Sequence, residues 1–215
     1  YVRKHVKPLR DVNRDNLMRT KWWLHGRSRP ELRSKLIGKQ RCIVTPEVSK
    51  HRIFIWMDTS FIPDHKLHIF ARGDDYFFGI LHSRIHETWT LATCSWMGVG
   101  NDPSYSSSRT FETFPLPWPP GHEPTNDARV QAIALAAKEL VEMRDRWLNA
   151  ENLSEAERKK RTLTNLYNAR PTWLDLAHKK LDAAVFAAYG WPENLSDEQI
   201  LENLLALNLE RAKGE

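Results

Sequence analysis

The chain has 215 residues, of which 41% are hydrophobic and 27% charged, with nine tryptophans and a formal net charge of +5. That length allows one or two domains with a sizeable core, and the composition is that of a folded protein, which excludes a disordered chain. Uncharged apolar runs fall well short of the roughly 18–20 residues a membrane span needs, so no membrane partner is expected.

Cys42 and Cys94 lie 52 positions apart and suggest neither a disulfide framework nor a metal clip. No secretory leader is recognisable, and a reducing cytoplasm is the expected location. The first residue is Tyr1 and not Met, so the chain reads as a segment of a longer protein. Its charge is unevenly spread. Residues 1–120 carry 19 basic side chains against 11 acidic, and residues 121–215 carry 13 against 16. Residues 1–52 alone hold 15 basic and 4 acidic. A polyanion-facing region joined to a weakly acidic one fits this split.

In chain order, residues 1–21 predict one broken basic helix, interrupted at Pro8. Trp22, Trp23 and Leu24 predict a short strand. Pro30 opens a helix that Gly38 stops. Residues 41–45, 52–56 and 67–71 are rich in β-branched and aromatic side chains and predict three strands. Asp74-Asp75 caps a helix over 76–91, where Phe77, Leu81, Ile85 and Trp89 recur every four residues. Residues 98–108 predict a Gly/Ser/Pro loop, and 110–118 run extended into a cluster of prolines. After a linker at 121–125 the pattern is helical. One helix spans 126–148, a second starts at the Ser154/Glu157 capping box, a third runs from Pro171 to Gly190, and a fourth is capped by Ser196. The expected fold class is α+β, a mixed small-sheet domain followed by an all-helical C-terminal region.

Catalytic and metal-binding patterns are weak. His82 and His86 are spaced i, i+4, but Ser83 stands where a zinc protease places its Glu, and no third ligand is evident. His65 and His68 form a second pair with the same shortage. Gly98-Val99-Gly100 opens like a dinucleotide fingerprint, yet Pro103 occupies the third glycine position and no helix is predicted to follow. Asp74 and Asp75 suit a helix cap better than acid–base work. No catalytic residue, metal ligand or cofactor is therefore expected in this chain. What remains is a basic surface interleaved with aromatics. Its candidate nucleic-acid ligands are Arg27, Arg29, Lys39, Arg41, Lys50, His51, Arg52, Arg72, Arg84 and Arg109, with Ser83, Ser106, Ser107 and Ser108 as short phosphate donors.

Several segments carry a resemblance. Trp22-Trp23-x-x-Gly26-x-x-Arg29-Pro30-x-Leu32 resembles the opening block of MmeI-like adenine-specific DNA methyltransferases. Ile43-Val44-Thr45-Pro46 with Ser49-Lys50-His51-Arg52, then the stretch from Phe78 to Trp89, are similar to the next blocks. Phe111-Glu112-Thr113-Phe114-Pro115-Leu116-Pro117 is similar to a further one. Thr162-Leu163-Thr164-Asn165-Leu166-Tyr167-Asn168 and Ala188-Tyr189-Gly190-Trp191 resemble the family's C-terminal helical part. The resemblance spans nearly the whole chain.

It implies a division into a helical lead-in at 1–21 from an upstream catalytic domain, a target-recognition domain at 22–120, a linker at 121–125 and a helical region at 126–215. It also implies that the chain binds duplex DNA and selects the adenine site to be methylated. The S-adenosylmethionine loop and the N/D-P-P-aromatic motif would lie in that upstream domain, because neither is present here. Arg109 and Arg84 are the expected base readers, and Lys50 and Arg52 the expected phosphate holders. The helices after 126 are expected to brace the recognition domain or pack on the catalytic one, with no DNA face of their own. An RNA-binding module using the same surface, and a protein–protein adaptor working through the helical tail, are the alternative readings.

Overall fold

The computed structural model describes residues 1–24 and 29–214, in two units, Tyr1–Gly38 and Lys39–Glu215. The first unit contains four short helices, α1 (Val2–His5), α2 (Lys7–Asp11), α3 (Asn16–Thr20) and α4 (Pro30–Leu36), none of which buries a residue. The single broken helix expected over 1–21 is thus three pieces. Pro8 sits in the first turn of α2, where its missing N–H costs nothing, and the Asp15 carboxylate starts α3 by accepting from the Leu17 and Met18 amides. Trp22 to Leu24 form a turn instead of the expected strand, because the Leu24 amide closes back onto the Lys21 carbonyl.

The second unit opens with a three-stranded antiparallel sheet in the order β2–β1–β3. Its strands are β1 (Arg41–Pro46), β2 (Ile55–Asp58) and β3 (Leu67–Phe70). Ile43 pairs with Trp56 on one side and Phe70 on the other, and Cys42 to Thr45 are all buried. Such burial suits the unbroken apolar run of this central strand. The strand expected at 52–56 begins only at Ile55, since Arg52, Ile53 and Phe54 turn into the interior before pairing starts.

One helix was expected over 76–91, and two are found, α5 (Asp75–His82) and α6 (Arg84–Thr93). The buried Ser83 separates them. Its hydroxyl donates to the Ile80 carbonyl at 2.7 Å and accepts from the His86 amide at 3.3 Å, so it ends one helix and caps the next. Serine competes with the backbone for its own hydrogen bonds, and here it wins against the apolar period. Asp74 caps α5 as expected, accepting from the Phe77 amide at 2.9 Å. Two three-residue strands follow, β4 (Ser95–Met97) and β5 (Asp102–Ser104), paired as a hairpin within the predicted loop. A single π-helical turn at Ser107–Phe111 comes next, where an extended run was expected from 110.

Five helices complete the chain: α7 (Ala128–Leu148), α8 (Glu155–Lys160), α9 (Leu163–Ala169), α10 (Thr172–Tyr189) and α11 (Asp197–Gly214). The Ser154/Glu157 capping box forms, and Gly190 closes α10 with a φ of 72°. These helices do not stand apart from the sheet-containing part. Buried residues from Ile43 to Leu204 make one continuous apolar cluster, and α5 packs directly against α7 and α10. Gly79 makes that approach possible. A Cβ there would lie 2.6 Å from Ile133 Cγ2 and 3.1 Å from both Ala137 Cβ and Leu181 Cδ1.

A polar network runs through the same core. Arg144 on α7 is 3% exposed. It donates to His82 Nε2 at 2.9 Å, to the Phe54 carbonyl at 3.2 Å and to the Tyr167 hydroxyl at 3.3 Å. That hydroxyl donates in turn to His178 Nε2 at 3.0 Å. Close by, His86 Nδ1 donates to the Leu81 carbonyl at 2.8 Å and its Nε2 accepts from the Tyr105 hydroxyl at 3.1 Å. His82 and His86, a metal pair by spacing, therefore sit on different helices, with Nε2 of His82 and both ring nitrogens of His86 engaged. Among the described residues no cluster of three or more His, Cys, Asp or Glu could hold a metal ion, and no helix is long and apolar enough to cross a membrane.

Candidate nucleic-acid interface

The C-terminal end of β1 gathers four segments of chain, and Arg52 holds them together. It is 7% exposed. Its guanidinium donates to Thr45 Oγ1 at 3.0 Å, to the Pro46 carbonyl, and to the Pro103 carbonyl at 3.0 Å. It also lies 5.1 Å from the centre of the Tyr105 ring. Burial lowers its pKa, yet an arginine starts so far above neutrality that it stays a cation, and three of its hydrogen bonds go to the backbone carbonyls of Pro46, Glu47 and Pro103. The expected phosphate holder is thus an internal clamp that fixes the β4–β5 hairpin to the end of the sheet. The Tyr105 amide reinforces it by donating to the Glu47 carbonyl at 2.7 Å, and Val48 forms an isolated bridge with Ser104.

From this base the hairpin projects. Trp96 and Met97 are each 50% exposed, and Val99 at the tip is fully exposed. Gly98 and Asn101 hold positive φ angles of 79° and 49° that make the turn. The Gly98-Val99-Gly100 segment is therefore a hairpin tip and not a strand-to-helix phosphate turn. Beside the hairpin, the Ser106 hydroxyl caps the π-helical turn by accepting from the Arg109 amide, and the Ser107 hydroxyl contacts His68 Nδ1 at 3.1 Å. Ser108 reaches Ser106 at 3.4 Å. Arg109 is exposed, and its guanidinium makes no contact with another described residue.

On the other flank, Ser49 donates its amide to the Pro103 carbonyl and its hydroxyl to the His51 carbonyl. Lys50 and His51 are thereby presented together. Lys50 Nζ donates to Asn168 Oδ1 at 2.7 Å, and His51 Nε2 lies 2.9 Å from the same oxygen, which assigns its proton to Nε2. Asn168, on α9, was not among the expected site residues. It lies 118 positions from Lys50, and no local pattern could have joined them.

The remaining candidates are spent elsewhere. Arg84 pairs with Asp197 at 2.6 Å and donates to the Leu195 carbonyl at 3.0 Å, which ties α6 to the start of α11. Arg72 pairs with Asp74 at 2.7 Å and Glu123 at 3.0 Å. Arg41 donates to the Gly73 carbonyl, pairs with Asp75, and lies 3.7 Å over the Trp56 ring. Ser83 is buried at the helix junction. Lys39 is exposed at the start of the sheet, far along β1 from the hairpin, and its side chain contacts no other described residue. Arg29, exposed with a φ of 46°, precedes α4 in the first unit. Arg27 lies outside the described residues. The structure therefore brings together Lys50, His51, Ser106, Ser107, Ser108 and Arg109 around the hairpin, and leaves Arg41, Arg72, Ser83 and Arg84 as internal ties.

Comparison with known proteins shows what this arrangement resembles. Residues 23–118 match the profile described as "MmeI, target recognition domain". The chain is 33% identical over 173 residues to DNA methyltransferase A of Bacillus subtilis (strain 168), a match covering 77% of this chain and 17% of that protein. Its fold is similar to that of the Type IIL restriction-modification enzyme MmeI, solved in complex with DNA. The TM-score is 0.70 at 20% identity, covering 98% of this chain and 26% of that one. The chain thus spans about a sixth of the methyltransferase and a quarter of MmeI. Residues 23–118, a little under half of the chain, are similar to the MmeI target recognition domain.

Proposed function

We propose that this chain is the DNA-reading part of an S-adenosylmethionine-dependent adenine-N6 DNA methyltransferase, binding duplex DNA and selecting the site to be methylated. The observation that carries the reading is the exposed hairpin of the MmeI-type domain, fixed by Arg52 and flanked by Lys50 and His51 on one side and Arg109 on the other. A methylase must flip its adenine from the stack at a cost of a few kcal/mol, and contacts away from the flipped base supply that energy. Lys50 and His51 hold phosphates and set register, while Arg109 and the hairpin tip enter a groove from a fixed base. The chemistry belongs to an upstream methyltransferase domain of the same polypeptide, which binds the cofactor, and the cytoplasm is where such an enzyme meets its DNA.

The test is binding of a labelled duplex by this chain across a salt series. Weak binding that falls steeply with salt is expected, because each neutralised phosphate releases counterions. No binding at low ionic strength, or affinity indifferent to salt, overturns the reading. Calorimetric titration of the same preparation with S-adenosylmethionine should give no heat of binding, and a tight one-to-one complex would contradict the assignment of the chemistry to another domain.

A further inference from the structure

The weak acidity of residues 121–215 conceals an opposite local balance. Residues 154–170 hold five basic side chains against two acidic, whereas the rest of that region holds eight against fourteen. This basic stretch comprises α8 and α9, and it adjoins Lys50 and His51.

One face of α9 makes the connection. Asn165 and Asn168 are three residues apart, so they project from the same side of the helix with Cβ atoms roughly 5–6 Å apart. Asn168 Oδ1 receives Lys50 and His51, while Asn165 Nδ2 donates to the Lys160 carbonyl at 2.8 Å, at the end of α8. The His51 ring also approaches the Tyr167 ring at 6.0 Å. The C-terminus of α8 is held in place by Arg161, which donates to the Trp147 carbonyl at 2.5 Å and lies 4.7 Å over the Trp147 ring. Lys159 is paired with Glu155 at 2.7 Å. Arg158 and Lys160 are exposed, and their side chains form no hydrogen bond or ion pair with another described residue. With its oxygen occupied, Asn168 still has two amide protons to donate, and Lys50 has protons beyond the one it shares. The result is a row of unspent donors and cations running from Lys50 across Asn168 to Lys160 and Arg158, on a scaffold held by hydrogen bonds at both ends.

We infer that α8 and α9 extend the DNA surface beyond the target recognition domain, with Asn168, Lys160 and Arg158 gripping the sugar–phosphate backbone in continuation of Lys50 and His51. The inference rests on the duplex-binding reading above. Its occupant is the phosphate backbone because the row offers only donors and positive charge, with no exposed aromatic platform on which unpaired bases would stack. Its contribution is affinity and register, not choice of sequence.

The experiment compares the salt dependence of duplex binding by the full chain, the double variant Arg158→Ala/Lys160→Ala, Asn168→Asp, and a control, Lys138→Ala, whose side chain pairs with Glu142 on α7. Each Lys or Arg that no longer neutralises a phosphate removes roughly 0.9 from the slope of log affinity against log salt, and the carboxylate introduced by Asn168→Asp would pair with Lys50 and cancel one such charge. The double variant should therefore flatten the slope by about two, Asn168→Asp by about one, and both should weaken matched and unmatched duplexes by the same factor. Lys138→Ala should leave the slope unchanged. All four sites are exposed, so unchanged melting temperatures should accompany these effects. If the unaltered chain binds no duplex, the duplex-binding reading itself fails. If it binds with a steep slope that the double variant and Asn168→Asp leave intact, this extension fails and that reading stands. Loss of single-stranded RNA binding without loss of duplex binding would also overturn the extension.

Discussion

Arg52 and Arg109 are both arginines of a basic sequence, and the structure gives them opposite surroundings, one buried and one exposed. Arg52 satisfies backbone carbonyls from β1 and β5 in a buried setting, where hydrogen bonds from a charged donor contribute roughly 1.5–3 kcal/mol. Arg52→Ala should destabilise the fold by about 2–3 kcal/mol in a denaturant melt and impair DNA binding only through that loss. Arg109→Ala should leave the melt unchanged. In the intact parent enzyme it should relax selection at one base position, at a cost of roughly 1–3 kcal/mol, whereas Lys50→Ala should weaken all sequences about equally. Profiling of methylated sites distinguishes them, and an unchanged motif in Arg109→Ala would remove that residue from base reading. Composition marks both arginines as cations. Which way a guanidinium turns depends on oxygens 51 to 113 positions away, and that is why Arg52, Arg72 and Arg84 could not be told apart from free cations beforehand.

At the scale of elements, local chemistry was most legible where it was self-contained. The Asp74 cap, the Ser154/Glu157 box and the Gly190 stop each need only three or four neighbouring residues, and each forms as expected. The Ser83 break was hidden because its hydroxyl interrupts a period that the apolar residues on either side maintain. The β4–β5 hairpin was hidden for a different reason: its strands have three residues each and contain Pro103, and they depend on Arg52 and Glu47 to stay in place. Gly79 likewise resembles an unremarkable residue in a helix until α7 and α10 are seen against it. Gly79→Ala would gain up to about 1 kcal/mol of helix propensity. The added methyl has no room beside Ile133, Ala137 and Leu181, and overpacking costs typically 1–3 kcal/mol. A net loss of up to about 2 kcal/mol is expected, read as a lower denaturant midpoint, and a raised midpoint would show that the crossing has slack.

For the molecule as a whole, the division expected near 121–125 is a change of texture and not a boundary between cores. Composition shifts there because strands give way to helices, yet Ile133, Ala137, Leu140, Leu174 and Leu181 complete the core that Phe77, Phe78 and Ile80 begin. A fragment of residues 39–120 should therefore lack a cooperative thermal transition and bind hydrophobic dyes. A sharp two-state melt from that fragment would restore the boundary.

The shared core also fixes the response to acid. Burial pushes His86 and His178 down to about 3, and burial with the adjacent Arg144 holds His82 well below its ordinary range. In the unfolded chain these rings protonate near pH 6.5, so the unfolded state binds more protons below that value and stability falls as pH drops from about 6.5 toward 3. Asp182 acts in the other direction. Burial raises its carboxyl to about 7, so the stability it contributes is present in acid and is lost as pH rises from about 4 through 7. Burial raises the Glu87 carboxyl as well, and the three histidines outweigh these two carboxyls. The melting temperature should decline steadily between pH 6.5 and 4, and a flat or rising profile toward acid would contradict the neutral, buried state of the rings.

The hairpin that Arg52 anchors has a further consequence for how such a protein changes over generations. Its tip contributes nothing to the core, and only Gly98 and Asn101 are held to a particular backbone shape. Trp96, Met97 and Val99 can be replaced without disturbing the packing beneath them, because the clamp grips backbone carbonyls and is indifferent to the side chains above it. Substitution at the tip is thereby decoupled from the stability of the scaffold.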